Sequence, residues 1–90
     1  MGQGTTIMKL LYFAWVREKI GRPSETVSLP EELVTIADLV SWLRARGPEY
    51  AEAFARPDLV RAAINQSHVK PDALLAGARE IAFFPPVTGG

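Results

Sequence analysis

The segment at residues 36–46 constrains the fold most, because it has the clearest helical periodicity in the chain. Thr35 and Asp38 have the spacing of an N-terminal capping box, and Gly47-Pro48 ends the pattern. Apolar side chains recur at i, i+3, i+4 and i+7 and form one stripe: Ile36, Leu39, Val40 and Leu43. A helix with a single apolar stripe must bury it against a second layer of structure.

Strand patterns on both sides of this helix predict that second layer. Residues 7–14 are apolar on both faces except for Lys9, and residues 25–29 alternate polar and apolar side chains. After the helix, three further strands are predicted at residues 59–64, 67–70 and 80–84. This order of elements places the chain in the α+β class.

Shorter elements connect these strands. Residues 15–20 are predicted to form a helical turn or loop, and residues 48–55 a short helix. Leu74 and Leu75 are expected to pack inward from the connection that precedes the last strand. Residues 1–7 are predicted to be a loose N-terminal extension.

Composition excludes several classes of function. A chain of 90 residues indicates one domain, and 48% hydrophobic residues suffice for a core. Ten basic and ten acidic residues leave no surplus of cations for binding nucleic acid or an anionic membrane. The chain has no cysteine and a single histidine, His68, so thiolate and multi-histidine metal sites are excluded. We expect a cytoplasmic protein, because the N-terminus lacks the pattern of a signal peptide and no apolar run could span a bilayer.

The two faces of the first and last strands differ in character. Successive side chains alternate across a strand, and Lys9 and Glu80 mark the face that water wets. The opposite face, under the helix, is predicted to carry Met8, Leu10, Tyr12, Ile81 and Phe83. The wetted face, here called the open face, is predicted to carry Leu11, Phe13, Ala82 and Phe84. Exposed leucine and phenylalanine side chains predict a surface for a partner protein, unless a loop or the tail covers them.

The C-terminal residues 85–90 form a tail of unusual composition. Pro85 and Pro86 remove two backbone donors and end the last strand, and Val87 and Thr88 continue the stem. Gly89 and Gly90 have no side chains, so the tip could enter a channel that any Cβ would block. The terminal carboxylate is ionised at neutral pH and needs activation before it can react. An acyl-adenylate would activate it by giving the carbonyl a good leaving group. The chain has no phosphate-binding loop, so a partner enzyme must bind the ATP that forms the adenylate. From the two glycines alone, a frayed end without function is the favoured interpretation.

Three segments resemble the small subunit of molybdopterin synthase, a sulfur carrier with a ubiquitin-like β-grasp fold. The residues from Ala82 to Gly90, AFFPPVTGG, resemble the terminus of that family. Residues 9–14, KLLYFA, with the following Val16-Arg17-Glu18 and Gly21, are similar to its first strand and turn. Residues 63–66, AINQ, resemble its third strand and turn. The resemblance implies a mixed sheet of four to five strands over residues 8–84, with the first and last strands parallel neighbours and one main helix on one face.

The same resemblance implies a function for the tail. Gly90, preceded by Gly89, would be adenylated by an enzyme of the ubiquitin-activating type, which uses ATP, and converted to a thiocarboxylate. The tail would enter the large subunit of the synthase, in an assembly of two small and two large subunits, and pass sulfur to a cyclic pterin precursor of molybdopterin. The chain itself would bind no cofactor and would not be an enzyme. Phe13, Leu11, Phe84 and residues 85–88 would contact the partners. His68, where the family often has an aliphatic residue, would either join this contact or be an exposed histidine without a role.

Two other functions remain open from the sequence. A sulfur carrier of thiamine synthesis or of tRNA thiolation, or a ubiquitin-like modifier, would share the fold and the terminal Gly89-Gly90. A β-grasp interaction module would use its surface alone, and removal of Gly89 and Gly90 would leave its function intact.

Overall fold

The computed structural model describes residues 5–86 as a five-stranded sheet with three helices. The elements in chain order are β1 (Thr5–Tyr12), α1 (Ala14–Ile20), β2 (Ser24–Pro30), α2 (Ile36–Arg44), α3 (Pro48–Ala53), β3 (Arg61–Ile64), β4 (Ser67–Val69) and β5 (Glu80–Phe84). A 3₁₀ turn, Pro57–Leu59, precedes β3.

The sheet has the strand order β2-β1-β5-β3-β4. β1 and β5 pair in parallel at its centre, and every other neighbouring pair is antiparallel. This topology confirms the predicted α+β fold, in which the first and last strands are neighbours and a helix covers one face.

Several element bounds differ from the prediction. β1 begins at Thr5, because residues 5–7, predicted to be loose, pair with residues 28–30 of β2. Residues 14–20 form a full helix that ends at Gly21, whose φ of 91° lies in the left-handed region that glycine tolerates. β3 starts at Arg61 rather than at residue 59, because Pro57–Leu59 forms the 3₁₀ turn.

The inward packing predicted for Leu74 is wrong. Leu75 is buried, whereas the side chain of Leu74 is 61% exposed. Leu74 forms an isolated β-bridge with Thr35, and in extended backbone two neighbouring side chains point to opposite sides. Only one of the two leucines can therefore face the core.

The capping box predicted for α2 is confirmed. The Thr35 hydroxyl accepts from the Asp38 N–H at 3.2 Å, and the Asp38 carboxylate accepts from the Thr35 N–H at 3.1 Å. The same carboxylate accepts from the Val34 N–H at 2.9 Å. These backbone hydrogen bonds, led by that of Val34, lower the pKa of Asp38.

The core lies between α2 and the inner face of the sheet. The five side chains predicted for that face are buried: Met8, Leu10, Tyr12, Ile81 and Phe83. The ring of Phe83 meets that of Phe54 edge-on at a centroid distance of 5.1 Å and stacks on that of Tyr12 at 6.3 Å. Ile36, Leu39 and Leu43 of α2 are buried against this layer, so the predicted strand register is correct.

In addition to its pairing with β1, the edge strand β2 is linked to α3 and to Arg46 through one carboxylate. Glu25 lies opposite Leu10 on the inner face, and its Oε2 accepts hydrogen bonds from the Tyr12 hydroxyl at 2.7 Å and the Tyr50 hydroxyl at 2.6 Å. Arg46 Nη1 lies 3.2 Å from the same oxygen. Burial by itself would raise the pKa of Glu25, but the hydrogen bonds from Tyr50, Tyr12 and Arg46 outweigh it and lower the pKa.

Replacing Glu25 by glutamine should make folding less stable at neutral pH. The pKa of Glu25 is lowered in the folded state, so its stabilisation is present above the ordinary glutamate pKa and is lost as the pH falls through the folded-state value. Glu25→Gln should cost about 1–3 kcal/mol at neutral pH, and the difference from the wild type should shrink in acid. Urea unfolding at several pH values measures both. Glu18→Gln, on the exposed side of α1, is the control, and an equal cost of Glu25→Gln at every pH would contradict the assignment.

Asn65 fixes the start of β5 to the turn between β3 and β4. Its N–H donates to the Glu80 carbonyl at 2.8 Å. Its side-chain Oδ1 accepts from the N–H groups of Arg79 at 2.8 Å and Glu80 at 3.1 Å, and its Nδ2 donates to the Gly77 carbonyl at 3.2 Å. Asn65 has a φ of 49°, and asparagine is among the few residues that adopt this conformation readily. The turn therefore positions the strand that leads to the tail.

Asn65→Ala should destabilise the protein by about 1–3 kcal/mol, because it removes three side-chain hydrogen bonds and a residue suited to positive φ. Asn65→Asp keeps the acceptor for the Arg79 and Glu80 N–H groups and should recover part of the loss. Thermal unfolding of the two variants measures this, and equal losses would show that the acceptor does not matter.

Candidate functional site

The turn from β1 into α1 displays Phe13. The Phe13 N–H donates to the Phe83 carbonyl at 3.1 Å, which extends the parallel pairing of β1 with β5 by one residue. At Ala14 the backbone takes a φ of 55° and leaves the sheet, so α1 begins directly behind Phe13. The Phe13 side chain is left 47% exposed. An aromatic ring held by an ordered backbone in this way is suited to contact a partner.

A row of apolar side chains crosses the open face in register. Leu11 lies beside Ala82, Ala82 beside Ala63, and Ala63 beside His68, so one residue from each of four strands lines up. Leu11 and Ala82 are half-buried, and Ala63 is buried although it is on the side away from α2. Two alanines in the middle make this part of the face shallow. Ala63 was not among the residues predicted for this face; alternation places it opposite Ala62, but two alanines give no sign of which one faces α2.

His68 lies against Phe84. Their ring centroids are 5.0 Å apart and the rings are tilted by 46°. Phe84 is half-buried and His68 is exposed, so the imidazole forms the rim of the apolar surface and partly covers the phenylalanine. The structure therefore brings His68 together with the other predicted contact residues.

Most of the large apolar side chains of the open face lie at one end of the sheet, together with the exposed Arg61, which pairs in register with Phe84. Lys9 and Glu80, which were predicted to mark the wetted face, are neighbours on β1 and β5 at the end where β5 begins. Leu11, Phe13 and Phe84 lie towards the end where β5 finishes. The apolar end is thus the one from which the tail leaves.

The first residues of the tail continue from this apolar end. Pro85 and Pro86 follow Phe84 directly and are half-buried. The remaining predicted site residues, Val87, Thr88, Gly89 and Gly90, lie outside the described residues. For the described part, the predicted contact residues form one surface that ends at the base of the tail.

The described residues show few other features that could carry chemistry. Within residues 5–86, no group of three or more His, Cys, Asp or Glu side chains could hold a metal ion. Among the helices described there, none has the length and apolar character required to cross a membrane.

Comparison with known proteins shows the family to which the chain belongs. Residues 10–90 match the ThiS family. The chain belongs to that family. It is 37% identical over 84 residues to the molybdopterin synthase sulfur carrier subunit of Escherichia coli (strain K12), covering 93% of this chain and 100% of the relative. It is 36% identical over 95 residues to the subunit of the same name from Mycosarcoma maydis, covering all of both chains.

Solved structures confirm the fold of this family member. The solution structure of the HVO 2177 protein of Haloferax volcanii has a TM-score of 0.75 at 24% identity and covers 100% of this chain and 92% of that one. The crystal structure of small archaeal modifier protein 1 from the same organism has a TM-score of 0.69 at 21% identity and covers 91% and 99%. At these identities the likeness establishes the β-grasp fold and nothing more.

Proposed function

We propose that this chain is the sulfur carrier subunit of a molybdopterin synthase and that the terminal carboxyl group of Gly90 carries the sulfur. The observation that supports this most directly is the match to sulfur carrier subunits over the whole chain, together with the terminal Gly89-Gly90. The open face supports it as well, since its apolar end leads into the tail.

The chemistry proposed for Gly90 needs an activating partner. An oxygen of the terminal carboxylate attacks the α-phosphorus of ATP bound by that enzyme, and pyrophosphate leaves. Hydrosulfide from the sulfur donor then attacks the acyl carbon and displaces AMP, and loss of its proton leaves a thiocarboxylate in place of the carboxylate. The sulfur of a thiocarboxylate is anionic and nucleophilic at neutral pH. A chain without cysteine can carry sulfur in this form.

Two partners would use the open face and the tail in turn. The adenylating enzyme of the ubiquitin-activating type would dock first, and the large subunit of the synthase would then receive the charged tail. The large subunit would transfer the sulfur to a cyclic pterin precursor, and two carriers would supply the two sulfurs of molybdopterin. In this scheme the chain is a donor subunit, and the catalytic groups belong to its partners.

A carrier for thiamine synthesis or tRNA thiolation is the second candidate, because the matching family is named ThiS. The terminal carboxyl group of such a carrier would be activated in the same way, and the molecule that accepts its sulfur would differ. The full-length relatives named as molybdopterin synthase subunits favour the first candidate.

Incubation with the activating enzyme, ATP and a sulfur donor should increase the intact mass by one oxygen-to-sulfur exchange, because the terminal carboxylate becomes a thiocarboxylate. Mass spectrometry of the intact chain and of its C-terminal peptide should place the change on Gly90. Deletion of Gly90 should abolish it. The Escherichia coli relative, treated in parallel, controls for an active enzyme; no change in this chain under those conditions would refute the proposal. Reversal of the mass change on addition of the large subunit and the pterin precursor separates the first candidate from the second.

Phe13→Ala should weaken binding to the activating enzyme about tenfold, because an exposed aromatic anchor is lost from the apolar end of the open face. Ile7→Ala is the matched control. Ile7 is 65% exposed on the same face but lies at the other end of β1. Titration calorimetry measures both affinities, and unfolding curves confirm that both variants are folded. Equal affinities would remove Phe13 from the docking surface.

A further inference from the structure

A groove runs between α2 and the β3–β4 side of the sheet, on the face opposite the open face. Its volume is about 280 Å³. One wall comes from α2 and includes Val40 at the edge of its apolar stripe and three residues beside that stripe: Ala37, Ser41 and Arg44. The other wall comes from β3 and the end of β4, and includes Val60, Ala62, Val69 and Lys70. Ala37 and Ser41 have small side chains, which leaves room for the groove beside α2.

The floor of the groove is apolar and belongs to the core. Ile36, Ala62 and Phe83 are buried beneath it, and Val60 and Val69 are half-buried at its side. An engineered apolar cavity of roughly 150 Å³ holds a benzene molecule. The groove therefore has room for a large aromatic or aliphatic side chain of another molecule.

The rim of the groove is cationic. Arg44 and Lys70 line opposite walls, and neither forms an ion pair within 4 Å among residues 5–86. Asp58 also lines the groove, but its Oδ2 lies 3.7 Å from Arg56 Nη2, with which it forms an ion pair. Arg61 also lines the groove, but it pairs with Phe84 in register and so shares the open face. Asp72, exposed and two residues beyond Lys70, is not part of the lining.

We propose that this groove binds an acidic segment of a partner protein, with one large apolar side chain on the apolar floor and carboxylates beside Arg44 and Lys70. The charge of the rim selects the occupant. Two cations without ion-pair partners among residues 5–86 lie beside an apolar cleft, and an apolar residue flanked by acidic residues complements that arrangement. The groove and the open face are on opposite sides of the sheet. A partner bound in the groove would leave the open face and the tail free to engage their own partners at the same time.

The test is an NMR titration of the full chain with a short synthetic peptide whose central leucine and phenylalanine are flanked by aspartates. The backbone amide signals of Val40, Ser41 and Val69 should shift with increasing peptide, whereas those of Leu11 and Ala82 on the open face should not. The same peptide with asparagines in place of the aspartates should bind about tenfold more weakly, because the charge complementarity is lost.

Variants of the chain separate charge from shape. Arg44→Gln combined with Lys70→Gln should weaken binding of the acidic peptide about tenfold, and Ser41→Trp should weaken it by filling the groove while leaving the charge unchanged. Arg17→Gln removes one exposed cation from α1, away from the groove, and should bind like the wild type.

Three results would overturn the proposal. They are the absence of shifts at the groove under saturating peptide, shifts confined to the open face, and an Arg44→Gln/Lys70→Gln variant that binds as tightly as Arg17→Gln. None of these readouts depends on Gly90, so this proposal and the sulfur-carrier proposal can fail separately.

Discussion

The parallel pairing of β1 with β5 determines most of the architecture. Two strands can be parallel neighbours only if a crossover connects them, and here the whole of α1 to β4 forms that connection. The pairing buries Leu10 and Ile81 beneath α2, and it places Leu11 beside Ala82 on the open face. It also places the C-terminal end of β1 next to the C-terminal end of β5. As a result, Phe13 and the base of the tail are at the same end of the sheet, although they are separated by about seventy residues of chain.

Alternation and local capping made much of this predictable. Lys9 and Glu80 identified the wetted face, and that assignment determined the register of both central strands. The capping box of Thr35 and Asp38 was readable because it depends on residues three positions apart. Features of this kind depend on neighbours in the sequence or on a simple period, and tertiary context does not change them.

The parts that could not be predicted depend on distant partners. Glu25 shares its strand face with Val27 and Leu29, so a carboxylate on the buried side indicates that it must have a partner. Nothing local reveals that the partner is a pair of hydroxyl groups, from Tyr12 on β1 and from Tyr50 on α3. The groove could not be predicted for the same reason, because Arg44 and Lys70 lie twenty-six positions apart in the sequence. For Val87, Thr88, Gly89 and Gly90 the argument remains one from sequence and family membership.

The formal net charge of the chain is zero, but its charged side chains are unevenly distributed over the two sides of the sheet. On the open face Lys9 and Glu80 lie beside each other, and the exposed Arg61 accompanies Phe84 and Phe13 at the apolar end. On the opposite side Arg44 and Lys70 have no ion-pair partner within the described residues. Apolar contact contributes affinity, whereas unpaired charge mainly selects the partner and speeds encounter. Under the proposed sulfur-carrier function, such a division would let one face serve every partner of the tail, while the groove on the other face would discriminate among proteins that need not touch the tail.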